Sequence, residues 1–229
     1  MNPTAGKHEM RASSPVGLSL VKLPKVKRTR DRLGKQRALL QAALHLFAAK
    51  GFEATSTREI AAAAGCAEGL IHRYFKGKAG LLPALVEQRM SEEMADLGRR
   101  LRPAPSLKAE FIQLVEWEVE LMWKNREYLR VFIPRAIVDP TVKMVLCRAV
   151  LGVRVRTVAE RLKSYPSSSK LSPGQLEGLA ESVGLLGMIF GFMRPVVLGQ
   201  DRSCARQMAR HIAEMMIAGA QHPSADQLF

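Results

Sequence analysis

The residues best suited to chemistry lie between positions 56 and 82, and their types suit the binding of a polyanion. Ser56 and Glu59 have the spacing of a capping box, in which side chains and backbone exchange hydrogen bonds at the start of a helix. Gly65 ends that helix, and a second short run begins a turn later, at residues 68–75. Two short helices joined by so tight a turn must cross steeply, which predicts a helix-turn-helix whose second helix is the reader.

The basic charge is concentrated in the same part of the chain. Residues 1–80 hold 15 Lys and Arg against 5 Asp and Glu, whereas residues 81–229 hold 20 against 16, for a formal net charge of +14. Taken alone, a basic segment is explained equally well as a charged surface that keeps the chain soluble. Beside a helix-turn-helix it favours nucleic acid as the partner, bound by the first third of the chain only.

The N-terminal segment, residues 1–31, is predicted to be a disordered arm because it is rich in Pro and Ser and poor in apolar residues. It carries most of a basic cluster that includes Arg30 and, just beyond, Arg32. Contact with phosphate or the minor groove explains this cluster no better than a solvated tail does, so both interpretations stay open.

Apolar residues recur at helical spacing through residues 37–101 and 106–220, which predicts an all-α fold. A helix from about Leu33 to Lys50 and the two short helices form an N-terminal domain, residues 32–80. A linking helix that Gly77 caps leads into a larger helical domain, residues 81–229. A small rotation of this linking helix would move the reader.

Local signals in the larger domain predict several details. Pro134 should kink or split the helix that contains it, and residues 165–169 should form an exposed loop. Ser172 and Pro173 should open a long helix. Three glycines in that helix predict a close approach by another helix or by a ligand; they are Gly184, Gly187 and Gly191.

The two C-terminal helices have broad apolar faces, and the last one is expected to run from Asp201 to Ala218, with Gly219 as its stop. Such faces are explained either as ordinary core or as half of a four-helix dimer interface. We favour a homodimer, because a reader of one half-site gains affinity by pairing on a palindrome.

Other classes of protein are disfavoured. The cysteines, Cys66, Cys147 and Cys204, are too far apart for a metal-binding pair, and the His residues show no spacing of a catalytic triad. We therefore expect no enzyme, metal or cofactor. The longest apolar run, residues 183–193, is too short to cross a bilayer, so a cytoplasmic protein without a membrane partner is expected.

Over residues 37–85 the sequence resembles the TetR family of bacterial repressors. The resemblance rests on Gly51-Phe52-Glu53-Ala54-Thr55-Ser56-Thr57-Arg58-Glu59-Ile60-Ala61, Ala64-Gly65, Gly69, Tyr74-Phe75, Lys78 and Leu81-Leu82. It implies a helical domain for ligand binding and dimerisation after the reader. The expected protein is a repressor dimer that binds a palindromic operator in double-stranded DNA and is released by a small ligand. The alternative is a ligand-independent architectural DNA-binding protein.

The resemblance also implies which residues contact DNA. Phosphate contacts are expected from Thr55, Ser56, Thr57 and Lys78, and groove contacts from Ala67, Glu68, Gly69, Leu70, His72, Arg73 and Tyr74. The chain departs from the family at Ala67, where a capping Ser is usual, and at His72, where Tyr is usual. Glu68 is also unusual beside phosphate; it could accept from cytosine or favour the helix N-terminus, and we prefer the second interpretation.

The expected ligand site lies between Pro105 and Leu198. Candidate lining residues are Trp117, Glu120, Met122, Trp123, Phe132, Met144, Cys147, Met188, Phe190 and Phe192, with Glu116, Arg135, Arg154 or Arg194 as further polar anchors. Their apolar, Met-rich character indicates a hydrophobic or amphipathic ligand.

Overall fold

The computed structural model describes residues 26–221, and every regular element in this range is helical. The all-α prediction is confirmed. The helices are α1 Val26–Lys50, α2 Thr57–Ala63, α3 Gly69–Phe75, α4 Lys78–Arg100, α5 Leu107–Lys124, α6 Arg126–Val138, α7 Pro140–Cys147, α8 Val155–Lys163, α9 Pro173–Met188 and α10 Arg202–Ala220. Residues 1–25 of the predicted arm and the side chain of Arg30 lie outside the described part.

Helix α1 begins at Val26, well before the predicted Leu33. Residues 26–31, which were assigned to the arm, therefore form its first turns. Its buried face, with Leu39 and Phe47, packs with Ile60 of α2 and Ile71 of α3. These short helices each bury few residues, so the fold depends on the packing between them.

Helix α4 follows the reader directly, and Gly77 caps it with a φ of +109°, which an L side chain rarely adopts. The linking helix is thus present where it was predicted. The core of α1–α3 continues into α4, α6 and α7 as one cluster that includes Leu82, Met90 and Phe132. Packing does not stop at residue 80, so the division into domains at that position stays a prediction.

A second core lies between α5, α8, α9 and α10. A Cβ at Gly187 would stand 2.2 Å from Cγ of Glu118, and one at Gly191 would stand 2.3 Å from the carbonyl oxygen of Val119. Both contacts are with α5, so the predicted close approach is confirmed at these glycines. It is absent at Gly184, where a Cβ would meet nothing within 4 Å.

Of three local predictions, one is narrowed and two are wrong. Pro134 does not split α6, which runs unbroken from Arg126 to Val138, so a kink is the part of that prediction that remains. Most of the expected loop at 165–169 is a short 3₁₀ helix, Pro166–Lys170, because Leu171 and Ser168 anchor it. Gly219 lies inside α10 and does not end it; Gln221 is the residue after the helix.

Two π-helical segments extend regular helices, Arg148–Arg154 between α7 and α8, and Ile189–Val197 after α9. The second makes the helix Pro173–Val197, whose start has the predicted Ser172 cap. In length and composition this is the one helix of the described range that could cross a membrane, although half of its most apolar window is buried in the fold. The sequence interpretation found residues 183–193 too short to cross a bilayer, but these residues are only part of the longer apolar helix.

Candidate DNA-binding surface and buried cavity

Local hydrogen bonds hold the start of α2, and a glycine turns the chain after its end. The hydroxyl of Ser56 accepts from the amide of Glu59 at 3.2 Å, and the carboxylate of Glu59 accepts from the amide of Ser56 at 2.9 Å, which confirms the capping box. Lys50 binds the same carboxylate, and it is the main reason that the pKa of Glu59 falls to about 2. Gly65 then turns the chain with a φ of +61°.

The reader helix α3 exposes one face and buries the other. Ile71 and Phe75 are buried, and Tyr74 is half-buried. The remaining side of α3 and the residues just before it are exposed, namely Ala67, Glu68, Gly69, His72 and Arg73. An exposed helix face of this kind at the edge of a small domain has the form needed to enter a major groove.

One basic side chain of α1, that of Arg32, lies beside the reader helix. Its guanidinium stands 5.5 Å from the centre of the Tyr74 ring, a distance at which cation and aromatic ring attract. Arg32 therefore places a positive charge next to the reader.

The N-terminus of α3 has no side-chain cap, as the presence of Ala67 predicted. The carboxylate of Glu68 accepts instead from the hydroxyl of Thr57 at 2.6 Å and so joins the starts of α2 and α3. The preferred interpretation, that Glu68 simply favours the N-terminus of its own helix, omitted this contact. Thr57 can donate to a phosphate only when it releases Glu68, because a hydroxyl has a single proton.

Two residues expected to contact phosphate have structural partners. Thr55 is buried, and its hydroxyl donates to the carbonyl oxygen of Gly51 at 2.8 Å. The ammonium of Lys78 donates to the carbonyl oxygens of Phe52 and Thr55 at 3.0 Å and of Glu53 at 3.3 Å. These bonds use all the protons of Lys78, so it ties the loop before α2 to the start of α4.

The same loop is held from a second side by α6. The guanidinium of Arg135 lies 4.4 Å from the centre of the Phe52 ring, and the ammonium of Lys78 lies 4.5 Å from the same centre. Arg135 also pairs with Glu53 at 2.7 Å and with Asp139 at 3.0 Å. Helices α4 and α6 therefore both hold the segment that leads into the helix-turn-helix.

A cavity of about 270 Å³ lies between α4, α5, α6, α9 and the π-helical segment Arg148–Arg154. Its walls are mainly apolar. The lining residues are Val86, Arg89, Met90, Glu93, Glu118, Met122, Asn125, Tyr128, Leu129, Phe132, Ile133, Leu146, Cys147, Val150, Leu151, Arg154, Gly184 and Met188. The volume is close to the lower end of the range for small-molecule sites.

Charged side chains form the polar part of the cavity wall. The guanidinium of Arg154 pairs with the carboxylates of Glu93 and Glu118, and Asn125 donates to Glu93 at 2.6 Å. All four side chains are buried. Within the described range, Oε2 of Glu118 and Nε of Arg154 are buried without a hydrogen-bond partner. We define Glu93, Glu118, Asn125 and Arg154 as the polar cluster.

Stability is expected to fall as the pH rises from about 4.5 to about 7, because burial raises the pKa of Glu118 from 4.5 to about 7. In this window the folded chain binds more protons than the unfolded chain does. Burial also raises the pKa of Glu93. The shift at Glu118 corresponds to a loss of about 3 kcal/mol in the free energy of unfolding. Urea unfolding at pH 5 and pH 8 should show this loss, and Glu118→Gln should reduce it. An equal loss in the variant would contradict the assignment.

The chain is similar to known proteins in part of its sequence and in its fold. Residues 39–85 match the model of bacterial regulatory proteins of the tetR family. The uncharacterized HTH-type transcriptional regulator YvkB of Bacillus subtilis (strain 168) is 47% identical over 53 residues, which are 23% of this chain and 28% of that protein. A structure from Syntrophomonas wolfei assigned to the TetR-family transcriptional regulators has a TM-score of 0.68 at 16% identity, over 82% of this chain and 96% of that one. The helix-turn-helix region of the chain, residues 39–85, is therefore of the TetR type.

The transcriptional regulator FadR of Bacillus subtilis, solved in complex with stearoyl-CoA, also shares the fold of this chain. Its TM-score is 0.58 at 15% identity, over 80% of this chain and 98% of that one. At sequence identities this low, the structural similarity establishes a shared fold alone. The sequence match to YvkB spans about a quarter of that protein, so it says nothing of the rest of that protein's length.

The fold brings some of the predicted ligand-site residues together and not others. Met122, Phe132, Cys147, Met188 and the possible anchor Arg154 line the cavity. The remaining candidates lie away from it, because their helix faces point to the surface or into packed core; they are Glu116, Trp117, Glu120, Trp123, Arg135, Met144, Phe190, Phe192 and Arg194.

The displaced candidates have other partners. Trp123 lies under the guanidinium groups of Arg126 and Arg202, and Glu120 pairs with Arg202. Met144 is 66% exposed, whereas Phe192 is 4% exposed and belongs to the core.

Several cavity residues were missed by the sequence interpretation, mainly on α4 and α6, where Met90, Glu93 and Tyr128 line the space. One signal was available. Glu118 occupies an apolar position of the α5 stripe, between Val115 and Met122. A carboxylate at such a position is rarely buried unless it is paired, so it marks a polar site in a core.

Proposed function

We propose that this TetR-family chain is a cytoplasmic, homodimeric transcriptional regulator that binds a palindromic operator and is released from it by a small ligand. The observation that carries the proposal is α4, which starts at Lys78 against the reader and lines the cavity with Val86, Met90 and Glu93. One rigid element thus joins a DNA-binding surface to a ligand-sized space. The stearoyl-CoA complex of FadR supports ligand binding by this fold.

The proposed coupling uses two helices that line the cavity and hold the same loop. Helix α4 holds it through Lys78, and α6 holds it through Arg135, one turn beyond the cavity residue Phe132. A ligand that changes the angle between α4 and α6 must therefore move the loop and, with it, α2 and α3. Release of DNA requires that the ligand bind the displaced arrangement more tightly than the DNA-bound one.

DNA reading is proposed to depend on Arg73, which is exposed on α3 and can reach guanine or a phosphate. Arg73→Ala should weaken operator binding and relax one operator position by about 1–3 kcal/mol. Fluorescence anisotropy with single-base operator variants measures both effects. Arg206→Ala removes an exposed charge of α10 as a control. An equal loss on every DNA sequence would assign Arg73 to phosphate instead of a base.

The proposed dimer interface is the exposed apolar surface of the two C-terminal helices. Leu185, Ile189 and Val197 recur at helical spacing along Pro173–Val197, and Met215 is exposed on α10, which packs beside it. Exposed apolar side chains at this spacing are typical of an interface between subunits.

Sedimentation equilibrium at micromolar concentration should therefore give a dimer. The double variant Leu185→Glu and Ile189→Glu should give a monomer with an unchanged helical circular dichroism spectrum, because both positions are exposed in the single chain. Leu151→Glu, at an equally exposed position of the π-helical segment, is the control and should remain dimeric. A monomeric unmodified chain would reject the dimer.

A further inference from the structure

Part of the cavity wall is apolar and aromatic. The rings of Tyr128 and Phe132 stack with their centres 4.1 Å apart, and Met90 and Met122 stand in the same wall. At about 270 Å³, the space holds a compact molecule that buries an apolar body against these side chains. Aromatic faces also attract cations, so this wall is compatible with a positively charged ligand group.

The hydrogen bonds of the polar cluster leave one acceptor unused. Glu93 is satisfied at both oxygens, by Asn125 and by Arg154. Glu118 binds Arg154 through Oε1 only, and Oε2 has no partner in the described range although the residue is fully buried. A buried carboxylate oxygen in this state favours a ligand that donates a hydrogen bond. The unused Nε of Arg154 is a donor and stays available to an acceptor on the ligand.

The charges of the polar cluster favour a cation. Two carboxylates share the single guanidinium of Arg154, which leaves one negative charge in excess when both are ionised. The other cation that lines the cavity is Arg89, whose side chain is 35% exposed and lies 3.9 Å from Glu92, so solvent screens it in part, although it still lowers the pKa of Glu93. Burial raises the pKa of Glu118, and a cation beside it would restore the ionised form.

We propose that the ligand of this cavity is a compact hydrophobic amine whose ammonium group donates to Oε2 of Glu118 and whose apolar body packs against Tyr128 and Phe132. The inference rests on the proposed function, since it names the chemical class of the ligand that acts at that site. A ligand carboxylate would face the two carboxylates of the polar cluster. A neutral alcohol would leave Glu118 without a compensating cation whenever that carboxyl group is ionised.

Matched probes test the ligand class on the full-length chain. Isothermal titration calorimetry compares 4-phenylbutylamine, 4-phenylbutan-1-ol and 4-phenylbutanoate, which share one body and differ in the head group. The amine should bind about tenfold or more tightly than the alcohol, because its hydrogen bond to Glu118 is charge-assisted. The carboxylate should bind most weakly. Equal or tighter binding of the alcohol or carboxylate, or no binding of the amine at millimolar concentration, would overturn the proposal.

A pair of variants on α5 tests the residue. Glu118→Gln should remove most of the preference for the amine over the alcohol, because it keeps the shape of the side chain and removes the charge. Glu120→Gln, at the partly exposed partner of Arg202, should keep the preference. A Glu118→Gln chain that folds and still prefers the amine tenfold would assign the preference to another group. If Glu118→Gln does not fold, the probe series on the unmodified chain still decides.

DNA release, measured separately with the same probes, separates the two proposals. An amine that binds but does not release operator DNA supports the ligand class and contradicts ligand-controlled release. Release by the alcohol or the carboxylate at lower concentrations than by the amine supports regulation and contradicts the ligand class.

Discussion

Replacing Gly80 with Ala is expected to displace the reader helix and to abolish specific DNA binding. A Cβ at this position would stand 1.7 Å from the carbonyl oxygen of Phe75, the last residue of α3. Because that atom belongs to the backbone, the clash cannot be relieved by a rotamer change, and α3 or α4 must move. Overpacking of this severity should cost about 3 kcal/mol or more in the free energy of unfolding.

The matched control is Gly98→Ala on the same helix, where the glycine is exposed and a Cβ would meet nothing within 4 Å. This variant should be neutral or more stable by up to about 1 kcal/mol, because Ala loses less backbone entropy than Gly on folding. Urea unfolding and operator binding measured on both variants check the comparison. A Gly80→Ala chain as stable as the Gly98→Ala chain would show that α3 and α4 are not in this contact.

Replacing Arg154 with Met is expected to destabilise the chain by about 3–5 kcal/mol at neutral pH. The substitution removes the shared cation of Glu93 and Glu118 and leaves two buried carboxylates facing each other. The loss should be smaller at pH 5, because protonation of the carboxyl groups removes their uncompensated charge. The pH dependence distinguishes this cause from a simple packing defect.

Arg156→Met provides the control, since Arg156 lies two residues further along and is exposed. Its free energy of unfolding should change by less than about 0.5 kcal/mol. Urea unfolding at pH 5 and pH 8 on both variants gives the measurement. If Arg154→Met is equally destabilised at both pH values, the polar cluster does not carry the assigned charges.

The helix-turn-helix could be predicted because its signals act over a few residues. The exchange between Ser56 and Glu59 is specified by their spacing, and Gly65 ends α2 whatever packs around it. The start of the long helix at Ser172 and Pro173 was predictable for the same reason. Local chemistry of this kind needs no knowledge of the distant parts of the fold.

The roles of Thr55 and Lys78 could not be predicted, because they depend on tertiary contacts. Lys78 donates to carbonyl groups more than twenty residues earlier, and these become its neighbours only after α1–α4 have packed. The cavity has a similar origin. Helical periodicity predicts that the face of α6 with Tyr128 and Phe132 is buried, but it does not tell a packed neighbour from an open space.

The central proposal is that this chain recognises a specific palindrome as a dimer, and genome-wide sequencing of the DNA that it retains in cells tests it most directly. The account predicts a small set of sites that share a palindrome, with half-sites about one helical turn apart. The Arg73→Ala chain should lose these sites. Retention of DNA without sequence preference would contradict the account and favour an architectural DNA-binding protein.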